Sequence, residues 1–591
     1  MKFKIWIFGT FVFYFCIVTS AFADQRLQSL KDISAAGAPL LALKMLGQAQ
    51  PQLDKDLYEW IIWEQERYKI LGNWQLWNRL LIRIESLPKD LPEPFRQQAT
   101  SQQARAYIEL SQSDQARKLL RQRLWQPESS SSPQYPIWRQ QVIDSYLKDG
   151  RIDDARIAML RLDQDFGETD QNTLQIRARL LILAGRYEQA IQLLVNEKSW
   201  QNQAIKLLAQ FRQLSLGEQE LWLLAKRKAI KLQAVETPDA QQLLTYWTLA
   251  YFASTKMSEV DRVVALENLL QIDAKPLYDL FAVRADSLWQ AYLTYAQLVG
   301  NRAELLLGDD INWLALAQKS SLLTPVKARS LFALLMKESS NDDIIQQAAV
   351  GYLNTLDMLH ASSGYLLNQL FNNSPESIRS VSRIPLLIRY HLVDTALKKA
   401  DIKQATRLMS GLQTHPEGSS RFDWLLRQSR VMILGGRYEE GDQVIRELIS
   451  EYTEPNKEQT DKILQILFDL QTVKKHQQAN LHFHALLNLP IEPVQRREIL
   501  FWTADSYKAM KKYNKAALIY MQSAMLPGTE SMDPWAQTAR FNAAQSLQKS
   551  GLIDDARRIY QNLLKVTRDP ARRAHLKNSI QQLWLTQRSL Q

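Results

Sequence analysis

Apolar residues recur along most of the chain at i, i+3, i+4 and i+7, and strict alternation is rare, so the pattern predicts helices and few strands. Breakers are sparse, with 19 Gly and 20 Pro in 591 residues. The clearest loop runs from Gln126-Pro127-Glu128 through Ser129–Ser132 to Pro133 and Pro136. Others centre on Gly167-Glu168-Thr169, His415-Pro416-Glu417-Gly418, Tyr452-Thr453-Glu454-Pro455 and Pro527-Gly528.

One segment repeats. Ser145-Tyr146-Leu147-Lys148-Asp149-Gly150-Arg151-Ile152-Asp153-Asp154-Ala155 shares its pattern with Arg179-Leu180-Leu181-Ile182-Leu183-Ala184-Gly185-Arg186-Tyr187-Glu188-Gln189-Ala190. An apolar residue is followed four places later by Gly, then by an apolar residue two places on and an Ala three further. The pattern returns around Gly436-Arg437-Tyr438 with Gly441, around Lys511-Lys512-Tyr513 with Ala516, and around Gly551-Leu552-Ile553 with Ala556. The Gly supplies a left-handed helix cap, which costs little without a Cβ. The Ala sits where two helices cross, and a large apolar residue four places on (Met159, Leu194, Tyr520, Tyr560) covers the same face. Lys474 and Lys511 stand in for the cap Gly in two units.

These residues resemble the tetratricopeptide repeat, a pair of antiparallel helices of about 34 residues. The Ala-type positions run Ala42, Trp77, Ala116, Ala155 and Ala190 in one array, and Ala405, Gly441, Ala479, Ala516 and Ala556 in another, with Trp77 placed where Ala is expected. The resemblance covers about 30–200 and 386–570 and implies an all-α fold, an α-solenoid of antiparallel helix pairs wound as a right-handed superhelix. The expected organisation is a signal peptide over 1–23, an N-terminal array over 24–200, divergent helical hairpins over 201–385, a C-terminal array over 386–570 and a capping helix over 571–591. The cap is basic and amphipathic, with Leu576, Ile580, Leu583 and Leu585 on one face. In the middle region Gly300-Asn301-Arg302-Ala303 echoes the turn motif, and a separate helical domain is the alternative reading there.

The N-terminus reads as an export signal. Lys2 and Lys4 precede a nearly unbroken apolar run, Ile5 to Val18, and Ala21-Phe22-Ala23 forms a small-residue cleavage site before Asp24. Cys16, the sole cysteine, lies inside that run between Phe15 and Ile17, so the chain is not expected to be a lipoprotein. Cleavage after Ala23 would leave no cysteine and hence no disulfide, thiolate metal site or cysteine nucleophile. The expected location is the bacterial periplasm, with no transmembrane span after cleavage; retention of the segment as an N-terminal anchor is the alternative. Net charge is +11, or +9 once Lys2 and Lys4 are removed. That balance is compatible with an acidic partner, although no polybasic run stands out and nucleic acid is not expected.

No phosphate-binding, zinc-protease or nucleophile-elbow string occurs. His482 and His484, with His476 nearby, are the best metal candidates, but i and i+2 on a helix point about 200° apart. Gly308-Asp309-Asp310 fits a helix N-cap with a first-turn acid. Lytic transglycosylases also carry exported helical superhelices, but Glu530-Ser531 lacks the downstream Gly-Leu-Met-Gln, and no barrel strands follow the repeats. No enzyme activity and no cofactor are expected.

In tetratricopeptide arrays the first helix of each pair lines the groove. Counting back from the caps gives Arg105, Gln140, Asp144, Lys148, Gln175 and Arg179 in the first array. In the second it gives Tyr390, Asp394, Lys398, Phe501, Asp505, Lys508, Gln545 and Lys549. This polar, mixed-charge set suits an extended peptide or an acidic chain. Trp60, Trp63, Trp74 and Trp77 cluster in one hairpin, as core or as an aromatic wall for sugar rings. The leading expectation is a scaffold for envelope proteins or extended peptides. The alternative is a binder of peptidoglycan or acidic polysaccharide using the Trp-rich end and the basic groove.

Overall fold

The turn that closes each helix pair is where the sequence speaks most directly in the computed structural model. Gly150, Gly185, Gly436 and Gly551 all have positive φ, between 69° and 85°. The residue five places after each cap is the small residue of the second helix: Ala155, Ala190 and Ala556 are 0% exposed, and Gly441 is buried. At Gly441 an added Cβ would lie 2.9 Å from Ile433 Cγ1, so even Ala would crowd this crossing. The large residue four places further is buried too, with Leu194, Tyr520 and Tyr560 at 0%. Burying a large apolar side chain contributes about 1.5–3 kcal/mol, so each hairpin gains a local core from two or three positions.

The structure describes residues 27–126, 130–167, 171–300, 308–356, 359, 363–373, 381, 384–416, 418–527 and 533–588. Among them there is no strand. The expected signal peptide, Gly528 and Glu530-Ser531 lie outside the described residues, as do Glu168-Thr169 and Asn301-Arg302-Ala303. No described helix is long and apolar enough to cross a membrane.

The chain divides into two compact units. The first contains the described chain up to Ala265 together with Ala274–Val283, and the second contains Leu266–Asp273 and the chain from Arg284. The division therefore falls inside 201–385. Helices of the first unit are α1 (27–35), α2 (Pro39–Ala49), α3 (Leu57–Asn73), α4 (Trp77–Glu85), α5 (Glu93–Glu109), α6 (Ser113–Leu124) and α7 (Tyr135–Lys148). They continue with α8 (Ile152–Phe166), α9 (Gln171–Leu183), α10 (Tyr187–Leu193), α11 (Trp200–Arg212), α12 (Glu218–Gln233) and α13 (Ala240–Ser254), and α14 (Glu259–Leu270) is shared with the second unit. The second unit goes on through α15 (Asp286–Val299), α16 (Asp310–Ser320), α17 (Pro325–Glu338), α18 (Asp342–Leu356), α19 (Ser363–Asn368), α20 (Leu386–Lys398), α21 (Ile402–Met409) and α22 (Arg421–Leu434). It ends with α23 (Tyr438–Glu451), α24 (Lys457–Thr472), α25 (His476–Leu487), α26 (Pro493–Ala509), α27 (Tyr513–Ala524), α28 (Pro534–Lys549), α29 (Ile553–Val566) and α30 (Pro570–Arg588). Through most of each unit successive helices pack as pairs and each pair stacks on the next, the arrangement of an α-solenoid; in the middle region α15 packs on α17 instead of on its neighbour in sequence.

Several caps are not glycine. Gln75, Ser111, Ala400, Lys474 and Lys511 all have φ between 55° and 63°. Gln75 corrects the phase of one unit. The fifth residue after it is Leu80, 0% exposed, so Leu80 and not Trp77 holds the crossing position. Trp77 is the residue two places after the cap, packed in the crook, where its ring lies 3.7 Å from the Cβ position of Gly72. Gly300 is a second correction. Its φ is −118°, so it makes no left-handed cap. A Cβ there would lie 2.4 Å from the Trp313 ring, so glycine permits a close approach.

Two buried charge clusters pin the units. In the first, Glu64 is 0% exposed and receives Arg83 Nε at 2.7 Å, Arg67 Nε at 3.0 Å and Gln50 Nε2 at 3.1 Å. In the second, Arg329 donates to both oxygens of Glu267, at 2.6 and 2.7 Å. The Tyr292 hydroxyl donates to the same carboxylate at 2.8 Å, and Arg329 also donates to the Thr355 carbonyl at 2.9 Å. At the C-terminal end, α30 buries Leu576 and Leu583 beside Tyr560 and Leu563. The side chain of Leu585 lies outside those described.

Candidate functional site

The first helices of the pairs pack both on the second helix of their own pair and on neighbouring first helices, so little of their surface is left free. Their remaining face carries the predicted binding residues. On α7 and α9 the structure brings four of these together. Arg179 Nη1 lies 2.8 Å from Asp144 Oδ1 across the two helices. Burial pushes the Asp144 carboxyl above its ordinary value, with Arg179 opposing. Arg179 also lies 4.0 Å from the centroid of the Tyr278 ring. The Tyr278 hydroxyl donates to Gln175 Oε1, and Lys148 Nζ lies 2.9 Å from Asp279 Oδ1. Gln140 is half-buried on the same face. Arg105 on α5 is exposed and lies 5.3 Å from the Trp77 ring centroid. This face is therefore already in contact with a segment of the chain that sequence reasoning missed. The missed signal was an apolar, aromatic stretch, Leu277 to Phe281, that follows Pro276 without helical periodicity.

On the second array the predicted set separates. Tyr390 and Phe501 are 8% and 9% exposed, so they are packing residues and not groove contacts. Tyr390 meets Trp424 edge-on at 5.2 Å and donates to the Thr414 carbonyl at 2.8 Å. Phe501 meets Tyr520 at 5.2 Å and Trp535 at 5.1 Å. Asp394 accepts from Arg427. Asp505 accepts from the Tyr520 hydroxyl at 2.9 Å. Lys508 Nζ donates to Gln545 Oε1 at 3.1 Å, tying neighbouring first helices. Lys549 lies 5.6 Å from the Tyr513 ring centroid, and Lys398 is exposed.

A cavity of about 620 Å³ opens on the face formed by α20, α22 and α24. Leu397, Ile402, Leu426, Val431 and Leu434 line it with apolar surface, and its polar walls carry both signs, Arg427, Arg430 and Lys462 beside Asp423, Glu458 and Asp461, with Gln465. The walls are internally paired. Arg430 lies 2.7 Å from Asp469, and Lys462 lies 3.0 Å from Glu458 and 3.3 Å from Asp423. Counting six places back from Gly436, as from Gly185 to Arg179, reaches Arg430; Arg427 lies one turn earlier on the same helix.

The tryptophan cluster is core. Trp60, Trp63 and Trp77 are 6%, 3% and 4% exposed, so their faces cannot stack on sugar. Trp74 is 41% exposed, and its Nε1 donates to Ser34 Oγ at 3.0 Å. His482 and His484 point apart as their spacing requires. His482 is buried with Nε2 2.7 Å from Asp442 Oδ1, while His484 is exposed. Burial holds the His482 imidazole below its ordinary value, with Asp442 opposing. Asp309 sits at an N-cap but makes no side-chain cap bond; Asn312 donates to it at 2.7 Å instead. Asp310 accepts from Ser339. No group of three or more His, Cys, Asp or Glu among the described residues is placed to hold a metal ion.

A left-handed cap, a crook residue two places on, a small crossing residue three further and a large residue four beyond it recur in both units with the same burial. The repeating unit is a helix hairpin with the cap-to-crossing spacing expected from the sequence, stacked as an α-solenoid. No family model matches the chain, and no curated protein does. Among solved structures it is similar to yeast Tom70 at 12% identity and a TM-score of 0.22, covering 83% of this chain and 96% of that one. It is also similar to a chain of the APC/C hetero-tetramer Cut9-Hcn1, at 11% identity and a TM-score of 0.24, covering 87% and 95% respectively. Overall superpositions at these scores carry no weight, and the α-solenoid architecture of each unit stands on its internal geometry.

Proposed function

We propose that the protein is a non-catalytic tetratricopeptide-type scaffold that binds extended segments of other proteins in the bacterial cell envelope. The observation that carries this reading is the cavity between α20, α22 and α24, where charged walls surround leucine side chains. Such a surface offers hydrogen bonds and ion pairs to a peptide backbone and its polar side chains, and apolar contact to one or two anchors. Export to the periplasm is part of the same proposal and rests on the basic N-terminus, the apolar run and the Ala21-Phe22-Ala23 site. The sugar-binding alternative loses its strongest support with the burial of Trp60, Trp63 and Trp77.

A photocrosslinker at Gln465, exposed on the cavity, is expected to trap a discrete protein client. The same label at Ser450, exposed on second helix α23, is expected to trap none. Replacing Arg427 and Lys462 together by Glu should abolish the Gln465 product. Equal labelling from both positions, or retention of the pure protein on peptidoglycan with no protein client, would overturn the scaffold reading. N-terminal sequencing of periplasmic material should begin at Asp24.

A further inference from the structure

The connection between α14 and α15, residues 271–285, contains only one short turn of 3-10 helix, Asp279–Phe281. Connections between packed helices are commonly about 2–8 residues, and longer ones without regular structure are usually functional. This one does not run free over the surface. Leu280 and Phe281 are 8% and 1% exposed, and the turn packs against α13. Upstream of that anchor, Gln241 Nε2 lies 3.5 Å from the Lys275 carbonyl. Between the two, Tyr278 and Asp279 lie on the first-helix face of α7 and α9, where tetratricopeptide-type repeats are expected to take a partner.

The contacts have the form of ligand recognition. Arg179, held in place by Asp144 at 2.8 Å, offers its guanidinium to the Tyr278 ring at 4.0 Å. Gln175 accepts from the Tyr278 hydroxyl. Lys148 pairs with Asp279 at 2.9 Å, with side chains 31% and 59% exposed. An aromatic hydroxyl followed directly by an acid is thus matched by three side chains from two neighbouring repeats. The hold is also exchangeable. Exposed ion pairs and single cation–π contacts are individually weak, and the core anchor, Phe281, does not depend on them.

We propose that the α7–α9 face is a peptide site for a segment carrying tyrosine followed by an acidic residue, and that Tyr278-Asp279 occupies it in cis until a partner displaces it. The proposal rests on the reading of first-helix faces as peptide sites, but concerns a different unit from the cavity at Gln465. A partner segment would stack its tyrosine against Arg179, donate its hydroxyl to Gln175 and pair its acid with Lys148. Phenylalanine would satisfy the stacking and leave Gln175 without that donor, so tyrosine is preferred.

The test is fluorescence anisotropy on the full chain with a labelled peptide of the sequence Lys275–Val283. Replacing Tyr278 and Asp279 together by Ala, with Leu280 and Phe281 kept, is expected to raise peptide affinity at least tenfold over the unmodified chain. Adding Arg179→Ala should abolish the gain, and a peptide with Phe for its Tyr should bind more weakly. Asp279→Lys, a change on an exposed side chain, should raise peptide binding in the same direction, and Lys148→Glu in that background should restore occupancy in cis and lower it again. If Asp279→Lys binds no more peptide than the unmodified chain, the proposal is overturned whether or not the double alanine variant folds. If the peptide binds but crosslinking at Gln465 yields no client, the scaffold reading of the second unit fails and this one stands.

Discussion

The Glu267–Arg329 pair gives the sharpest test of how the second unit is held. Both side chains are essentially sealed, at 1% and 2% exposure, and the carboxylate receives two guanidinium bonds and the Tyr292 hydroxyl. Burial alone would lower the Arg329 pKa, yet the Glu267 contact holds it above the ordinary value. Glu267→Ala removes every charged partner of Arg329 and leaves a cation in the interior. Breaking one side of such a pair costs about 3–5 kcal/mol, because the remaining charge keeps its desolvation penalty. Stacked repeats need not unfold in one step, so a single melting temperature would blur the effect. Hydrogen exchange localises it. Amides of α15, α17 and α18 that open with this core should exchange roughly 150- to 5,000-fold faster, at about 1.4 kcal/mol per tenfold, while those of α27 and α28 stay unchanged. Replacing the pair together by Leu and Met should recover most of the protection, since apolar residues of similar volume carry no such penalty. If Glu267→Ala changes exchange in α15, α17 and α18 by less than threefold, the pair is not a desolvated clamp and the reasoning fails.

Other outcomes follow from single positions. Ala190→Leu, at a crossing with 0% exposure, should destabilise its hairpin by about 1–3 kcal/mol, read as faster exchange in α9 and α10. Ala400→Gly and Lys511→Gly relieve side chains held at φ of 56° and 61°; the gain of about 1–2 kcal/mol is partly offset by about 0.4–1 kcal/mol of unfolded-chain entropy, so a small net rise in Tm is expected. Stability should also fall in acid. Burial pulls the His482 imidazole down, so the unfolded chain takes up its proton first, and this contribution is lost as the pH drops from about 6.5 towards the lower folded value. Burial works to raise the Glu64 carboxyl, but Arg83 and Arg67 outweigh it and hold it below the ordinary value. Its contribution is therefore complete above about pH 4.3 and is lost as the pH falls through the folded value. Melts between pH 3 and 8 on the unmodified chain and on His482→Gln check both, and a flat profile from pH 7 to 5.5 would contradict the first.

What the sequence disclosed follows from the locality of each signal. Gly150, Gly185, Gly436 and Gly551 mark their caps because a left-handed residue without a Cβ is a one-residue signature. Gln75 takes the same conformation with nothing in its identity to say so, and without that anchor Trp77 was read three places out of phase with Leu80. Tyr390 and Phe501 were placed on the right helices but on the wrong side of the boundary between face and core, because each long aromatic side chain turns into the packing between helices. Glu267 and Arg329 are 62 residues apart, and nothing local announces that either has a buried partner. Tyr278 and Asp279 were hidden for a similar reason, since Lys148 is 131 residues from Asp279 and the groove side of that contact alone was legible.

The route of the chain through residues 266–283 has a practical consequence for dissecting the protein. Leu266–Asp273 belongs with the later helices, while Ala274–Val283 belongs with the earlier ones, so the polypeptide changes allegiance three times within twenty residues. A fragment that stops at Ala265 would lack Leu280 and Phe281 and expose the apolar surface of α13 that they cover. It would also present α7 and α9 with their groove vacant, and so measure a ligand affinity that the intact chain does not have. A fragment that stops at Val283 keeps the plug but carries Glu267 away from Arg329 as a stranded acid.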